Sequence, residues 1–173
     1  MIRTDYPIEA LPILLDRSCL LARYDPLVPH AAALLSGLRA LGCRVKSEAA
    51  ALPDEAFLRI GLPDTDTVRL FRRFLTLYDP DPKKLRKIDL LTDDPAERES
   101  FRELYCLPGV RQTRAVLYLR SGLCTLRDIA EASPEEILIR TAETIRTEKL
   151  PCAVPLPKEV RTHIAVAKAF TML

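Results

Sequence analysis

Residues 107–114 read LPGVRQTR, a Pro-Gly step followed by two arginines three positions apart. Glycine at 109 allows a turn through dihedrals that other residues avoid. A helix starting just behind that turn would present its first amides without intrahelical acceptors. Such amides, with the helix dipole behind them, suit a phosphate oxygen. Arg111 and Arg114 would share a helix face at this spacing and bring charge towards the same anion. Gln112 and Thr113 lie between them. A second basic tract holds Arg69, Arg72, Arg73, Lys83, Lys84, Arg86 and Lys87, opposed by Asp79, Asp81 and Asp89. Its aromatic residues, Phe71 and Tyr78, fall on an apolar helical stripe. The chemistry on offer is therefore contact with a nucleic-acid backbone rather than base readout. Each tract also has a plainer reading, as a turn that joins helices and as a solvated charged face.

Residues that suggest catalysis are more easily explained by structure. Cys43 and Cys124 have no histidine nearby in sequence to draw off a proton, as a nucleophilic thiol requires. They read as small buried side chains. His30 lies near a helix start and His163 reads as a boundary residue of the last helix. The carboxylate pairs Asp64/Asp66, Asp93/Asp94 and Glu135/Glu136 fall at helix starts, where capping and dipole compensation account for them. Cys19, Cys43, Cys106, Cys124 and Cys152 contain no C-x-x-C spacing, and two histidines do not complete a zinc set. No Walker loop, dinucleotide fingerprint or nucleophile elbow occurs. No enzyme, metal or cofactor is expected.

The elements that must position the 107–114 turn are helical. Fourteen prolines and five glycines punctuate 173 residues, and the apolar spacing between them follows the helical period. Helices are expected from Pro12 to about Arg23, from Pro29 to a stop at Gly42, over DEAFLRI behind Pro53, and from Asp64 through Tyr78. In the last of these, Val68, Phe71, Leu75 and Tyr78 form the apolar stripe. DPDPKKLRK, from 79, reads as a linker. Further helices are expected from Pro95 to about Cys106, behind the 107–114 turn, and behind Thr125 and Ser133. The caps at Thr125 and Ser133 have capping-box spacing to Asp128 and Glu136. The last helix is expected from Lys158 towards Phe170.

Apolar residues make up 48% of the chain, enough for a packed core, and the formal net charge is +2. A phosphate-binding surface must therefore arise from local clustering. The first residues lack the pattern of a signal peptide, and no apolar run is long enough to span a bilayer. The chain reads as cytoplasmic, with reduced thiols and no membrane partner.

Residues 24–59 align with 105–140 at an offset of 81, without a gap. Matches include Tyr24/Tyr105, Leu38/Leu119, Arg39/Arg120, Cys43/Cys124, Pro53/Pro134, Glu55/Glu136 and Arg59/Arg140. The shared plan is a helix, a glycine turn, a short helix and a proline-started helix, which indicates an internal repeat.

LPGVRQTRAVLYLRSGLCTLRDIAEASPEEI resembles the helix-hairpin-helix superfamily. Pro108, Gly109, Val110, Ala115, Gly122 and Leu123 occupy positions of its h-P-G-h-G-x-x-x-A-x-x-h-x-x-x-G-h pattern. The layout is similar to that of the C-terminal domain of the bacterial RNA polymerase alpha subunit. The resemblance is clearest over 107–140, with a degenerate second copy at 24–78. It implies sequence-independent binding of duplex DNA through backbone amides. Arg111 stands where the pattern has its second glycine, and the corresponding LVPHAAALL of the first half has no hairpin glycine.

The expected architecture is all-α, with an N-terminal unit over 1–78, a linker over 79–94 and a C-terminal unit over 95–173. The expected activity is non-catalytic nucleic-acid binding through Gly109, Arg111, Gln112, Thr113 and Arg114, extended by the Arg69–Lys87 tract. The alternative partner is a protein docked on a helix face, with the hairpins serving only as architecture.

Overall fold

A computed structural model describes residues 5–17, 22–79 and 81–172; Cys19 lies outside them. The fold is all-α. No helix among the described residues is long and apolar enough to cross a membrane. The chain forms two compact units, one ending at Asp79 and the other running from position 80 to Thr171.

In the first unit a 3-10 turn at Ile8–Ala10 enters α1 (Leu11–Arg17). Of the helix expected from Pro12 to about Arg23, the part up to Arg17 is helical and positions 18–21 lie outside the described residues; Ala22 and Arg23 belong to a 3-10 helix over Ala22–His30. Pro26 and Pro29 lie inside that second segment, where their missing N–H groups disfavour α-helical bonding. It runs directly into α2 (Ala31–Ala40), followed by α3 (Lys46–Ala50), α4 (Asp54–Arg59) and α5 (Thr65–Leu75). Asp64 caps α5 by accepting from the Thr67 amide at 2.7 Å. Val68, Phe71, Phe74 and Leu75 form the buried face of α5. Phe71 meets Phe57 edge-on at 5.3 Å, and Phe74 meets Tyr24 at 5.5 Å. Two backbone bonds, Ile8 amide to Arg44 carbonyl and Lys46 amide to Tyr6 carbonyl, each 2.9 Å, tie the start of the unit to the approach to α3, and Asp5 adds to them by accepting from the Ser47 amide and hydroxyl.

The second unit comprises α6 (Pro82–Asp89), α7 (Pro95–Leu104), α8 (Gln112–Arg120), α9 (Leu126–Glu131), α10 (Pro134–Glu148) and α11 (Pro157–Phe170). The segment read as a linker over 79–94 thus contains a helix. Asp81 caps α6, Pro82 occupies its first turn, and Ile88 is buried. Thr125 and Asp128 form the expected capping box on α9, and Glu103 of α7 accepts the Leu126 amide at 2.8 Å. At Ser133 only the forward bond of the expected box forms, and the Glu136 carboxylate pairs with Arg140. Val160, Thr162, His163, Ile164, Val166, Ala167, Ala169 and Phe170 of α11 are all buried. A helix covered on so many faces is the centre of its unit, and it packs against α9 and α10.

Gly42 (φ 81°) and Gly122 (φ 73°), which end α2 and α8, make the same bonds. Gly42 and Cys43 donate to Arg39 and Leu38; Gly122 and Leu123 donate to Leu119 and Tyr118. A carboxylate then reaches back to cap the next short helix, Glu48 in one unit and Asp128 in the other. These positions lie 80 apart rather than 81, so Cys43 stands where Leu123 does. The pairing of Cys43 with Cys124 does not carry into the geometry.

Gly37 lies inside α2 with its α-carbon against α4. An added Cβ would sit 2.3 Å from the Ile60 Cβ. Helix propensity alone favours Gly37→Ala by ~1 kcal/mol. The clash involves a branched carbon attached directly to backbone, and such overpacking costs ~1–3 kcal/mol. The overlap is too deep for propensity to offset. Gly37→Ala should lower the unfolding free energy in urea, and a gain in stability would contradict this packing.

Candidate functional site

The helix pair α7–α8 is joined by the turn at 107–110. The Val110 amide closes it on the Leu107 carbonyl at 3.2 Å, with Gly109 in the left-handed region at φ 74°. Leu107 and Val110 are buried and anchor its two sides; Ala115, in the first turns of α8, is fully buried. Gly109 itself is exposed, and an added Cβ would meet nothing within 4 Å. The main-chain N–H groups of Gly109, Arg111, Gln112, Thr113 and Arg114 have no acceptor among the described residues, and Gly109, Arg111, Gln112 and Thr113 are exposed. Four donors at the positive end of a nine-residue helix are thus open to an outside anion. The Val110 amide is excluded from that set by the turn bond.

Among the side chains, Arg111 is exposed and has no ion-pair partner among the described residues. Arg114 has a different role. Its Nε and Nη2 donate to Oε1 and Oε2 of Glu159 at 2.8 and 3.3 Å, and Nη1 donates to the Ala153 carbonyl at 3.0 Å. Its guanidinium ties α8 to the approach and first turn of α11, so it is not available as a phosphate ligand.

Behind the turn lies a buried hydrogen-bonded chain. His163 of α11 is 1% exposed. Its Nε2 lies 2.9 Å from the Pro108 carbonyl, and its Nδ1 lies 2.7 Å from the Tyr118 hydroxyl of α8. A carbonyl can only accept, so Nε2 carries the proton. In the neutral ring Nδ1 then accepts from the tyrosine hydroxyl. Burial pulls the His163 pKa down, and Arg114 adds to that effect; the Pro108 bond and Glu159 oppose it. The Tyr118 hydroxyl is pushed well above its ordinary value, chiefly by burial. Reading His163 as a boundary residue is thereby corrected. The sequence signal was its placement between Val160, Ile164 and Ala167 with apolar neighbours on several faces.

The second basic tract divides between the units. In the first unit, Arg69 pairs with Asp66 at 2.8 Å. Arg72 donates to Asp54 and to the Ala50 and Leu52 carbonyls, and lies 5.0 Å over the Phe57 ring. It is a packing residue. Arg73 is exposed without an ion-pair partner among the described residues. In the second unit, Lys83, Lys84, Arg86 and Lys87 are exposed along α6.

Three of the thiols are not poised as nucleophiles. Burial raises Cys43, Cys124 and Cys106, with Cys106 pushed up to about 12.

Over residues 100–170 the chain is similar to a family described as Domain of unknown function (DUF4332). That match takes in α8 to α11, the hairpin and His163. No curated protein and no solved structure matches the chain.

Arg114→Met should cost about 1–2 kcal/mol in chemical denaturation, because it strands a partly buried carboxylate. Arg111→Met should change stability by less than about 0.5 kcal/mol. Equal effects would refute the division of roles between the two arginines. The lowered pKa of His163 means that the unfolded chain binds its proton more readily. Its contribution to stability is complete above the unfolded value of about 6.5 and declines as pH falls from there towards the lower folded value. His163→Gln should flatten that part of the stability–pH curve.

Proposed function

We propose that this chain is a non-catalytic, sequence-independent binder of the duplex-DNA backbone, acting through the 107–114 hairpin. The observation that carries the reading is the exposed, positive-φ turn at Gly109, followed by unbonded amides at 111–113. A phosphate oxygen is a natural acceptor for such a set. Arg111, in place of the second hairpin glycine, supplies a side-chain charge at the rim. It is the N-cap residue of α8 and points no capping group back at the helix. On this reading the hairpin belongs to the helix-hairpin-helix superfamily. Gln112 and Thr113 line the approach, and the exposed lysines of α6, in the same unit, contribute less specific charge. The first unit would be a degenerate relative whose hairpin glycine was replaced by the 3-10 entry into α2.

A specific observation favours a second reading, docking to a protein. Leu90, Leu156 and Ile139 of the second unit are 87%, 69% and 66% exposed. Large apolar side chains at that level mark an interface where they form one contiguous patch.

Retention on duplex DNA separates the two. Binding should weaken steeply as salt rises, since the affinity comes from phosphate neutralisation. Arg111→Glu should weaken it by roughly tenfold or more at low salt, without loss of fold, because a like charge replaces a phosphate contact. Fluorescence anisotropy with oligonucleotides of unrelated sequence should give equal affinities. Absence of binding at low salt would leave protein docking as the reading.

A further inference from the structure

We propose that His163 is the positioning residue of the hairpin, a neutral imidazole with its proton on Nε2 that sets the direction of the Gly109 amide. For binding, this rests on the reading of the hairpin given above; the orientation itself stands on geometry. No peptide bond among the described residues is cis. In a trans peptide the carbonyl and the amide hydrogen point to opposite sides. The Pro108 carbonyl is drawn inward by the His163 Nε2–H at 2.9 Å. The Gly109 N–H on the same peptide plane must therefore point out of the unit, to the side where an anion would arrive.

The proton is held on Nε2 by the other end of the ring. Tyr118 Oη, 2.7 Å from Nδ1, supplies a donor there and makes Nδ1 the acceptor. The two rings stand edge to face, 5.7 Å between centroids and 87° between planes. This perpendicular setting restrains the imidazole from turning about its long axis. Tyr118 is on the same helix whose N-terminus carries the free amides. One buried ring thus orients the turn from α11 and, through Tyr118, fixes it relative to α8. Second-sphere bonding of this kind keeps a recognition geometry ready before the ligand arrives.

The test compares the full-length chain with His163→Gln, which places an N–H donor near the site of Nε2, and His163→Leu, which does not. Duplex binding is measured at low salt, and the Gly109 amide is followed by ¹H–¹⁵N NMR with and without DNA. His163→Gln should bind within about twofold of the parent, and folded His163→Leu about tenfold more weakly, the worth of one hydrogen bond. The Gly109 amide resonance should shift in His163→Leu and stay close to its original position in His163→Gln. A role confined to stability would lower the melting temperature of His163→Leu without moving that resonance or the affinity of the folded protein. Folded His163→Leu with unchanged affinity and an unchanged Gly109 signal would overturn the proposal. If the parent does not bind DNA, the function proposed above fails, and the Gly109 resonance alone decides the role of His163. Should His163→Leu not fold, the ¹⁵N spectrum of the parent imidazole decides. A ring protonated at Nε2 supports the assignment, and one protonated at Nδ1 overturns it.

Discussion

A trans peptide group cannot send its carbonyl and its amide to the same side. Once the Pro108 carbonyl is bonded to a ring in the core, the face that Gly109 presents is settled. Much of the second unit serves that arrangement. Buried α11 brings His163 up behind the turn. Packing of α7 on α8 sets the width of the hairpin, with Leu107 and Val110 anchoring its two sides. Arg114 and Glu159 hold the start of α8 to the start of α11. Removing any one of these loosens the others, because a buried polar chain is favourable only when every member has a partner.

The same arrangement changes how the charge of the site is counted. Two arginines three apart look like a matched pair of phosphate ligands. In the folded unit one is a rim charge and the other is part of the frame, bonded to a carboxylate and a carbonyl. Arg72 is likewise occupied, in its case by packing on Phe57. What the hairpin presents outward is Gly109 and the start of α8, with Arg111 as its one exposed cation among the described residues. Main-chain amides carry no net charge and need no side-chain ordering, so on the proposed function an anion would be held there by geometry, in a chain whose overall charge is close to balanced.

Local features were legible in the sequence. Caps at Asp64, Asp94 and Thr125, glycine stops at Gly42 and Gly122, and the stripe of α5 depend on neighbours a few residues away. The hairpin turn was legible for the same reason, since Pro108, Gly109 and Val110 specify it among themselves. What escaped was set at a distance. His163 meets Tyr118 and Pro108, which are 45 and 55 positions away, and Arg114 finds Glu159 at a separation of 45. Periodicity contains no information about such pairs. The segment from 79 reads as a linker because it breaks the apolar helical pattern. In fact Asp81 and Pro82 form a cap and first turn, and Ile88 supplies the buried anchor. The offset of 81 between halves slips to 80 because turn and cap geometry, rather than residue identity, determine which positions correspond.

Two glycines described above are indispensable for opposite reasons. At 109 there is ample room, and the obstacle to another residue is the handedness of its torsion. Asparagine, which tolerates that region better than most side chains, is the natural trespasser. At 37 the torsion is ordinarily helical and the obstacle is the Ile60 side chain pressed against the helix axis. Only glycine at 60, which has no Cβ, would open position 37 to alanine, whereas no change in its surroundings would make 109 hospitable to a branched L-residue. Mutational drift would therefore be coupled between two sites in the first case and confined to a single site in the second.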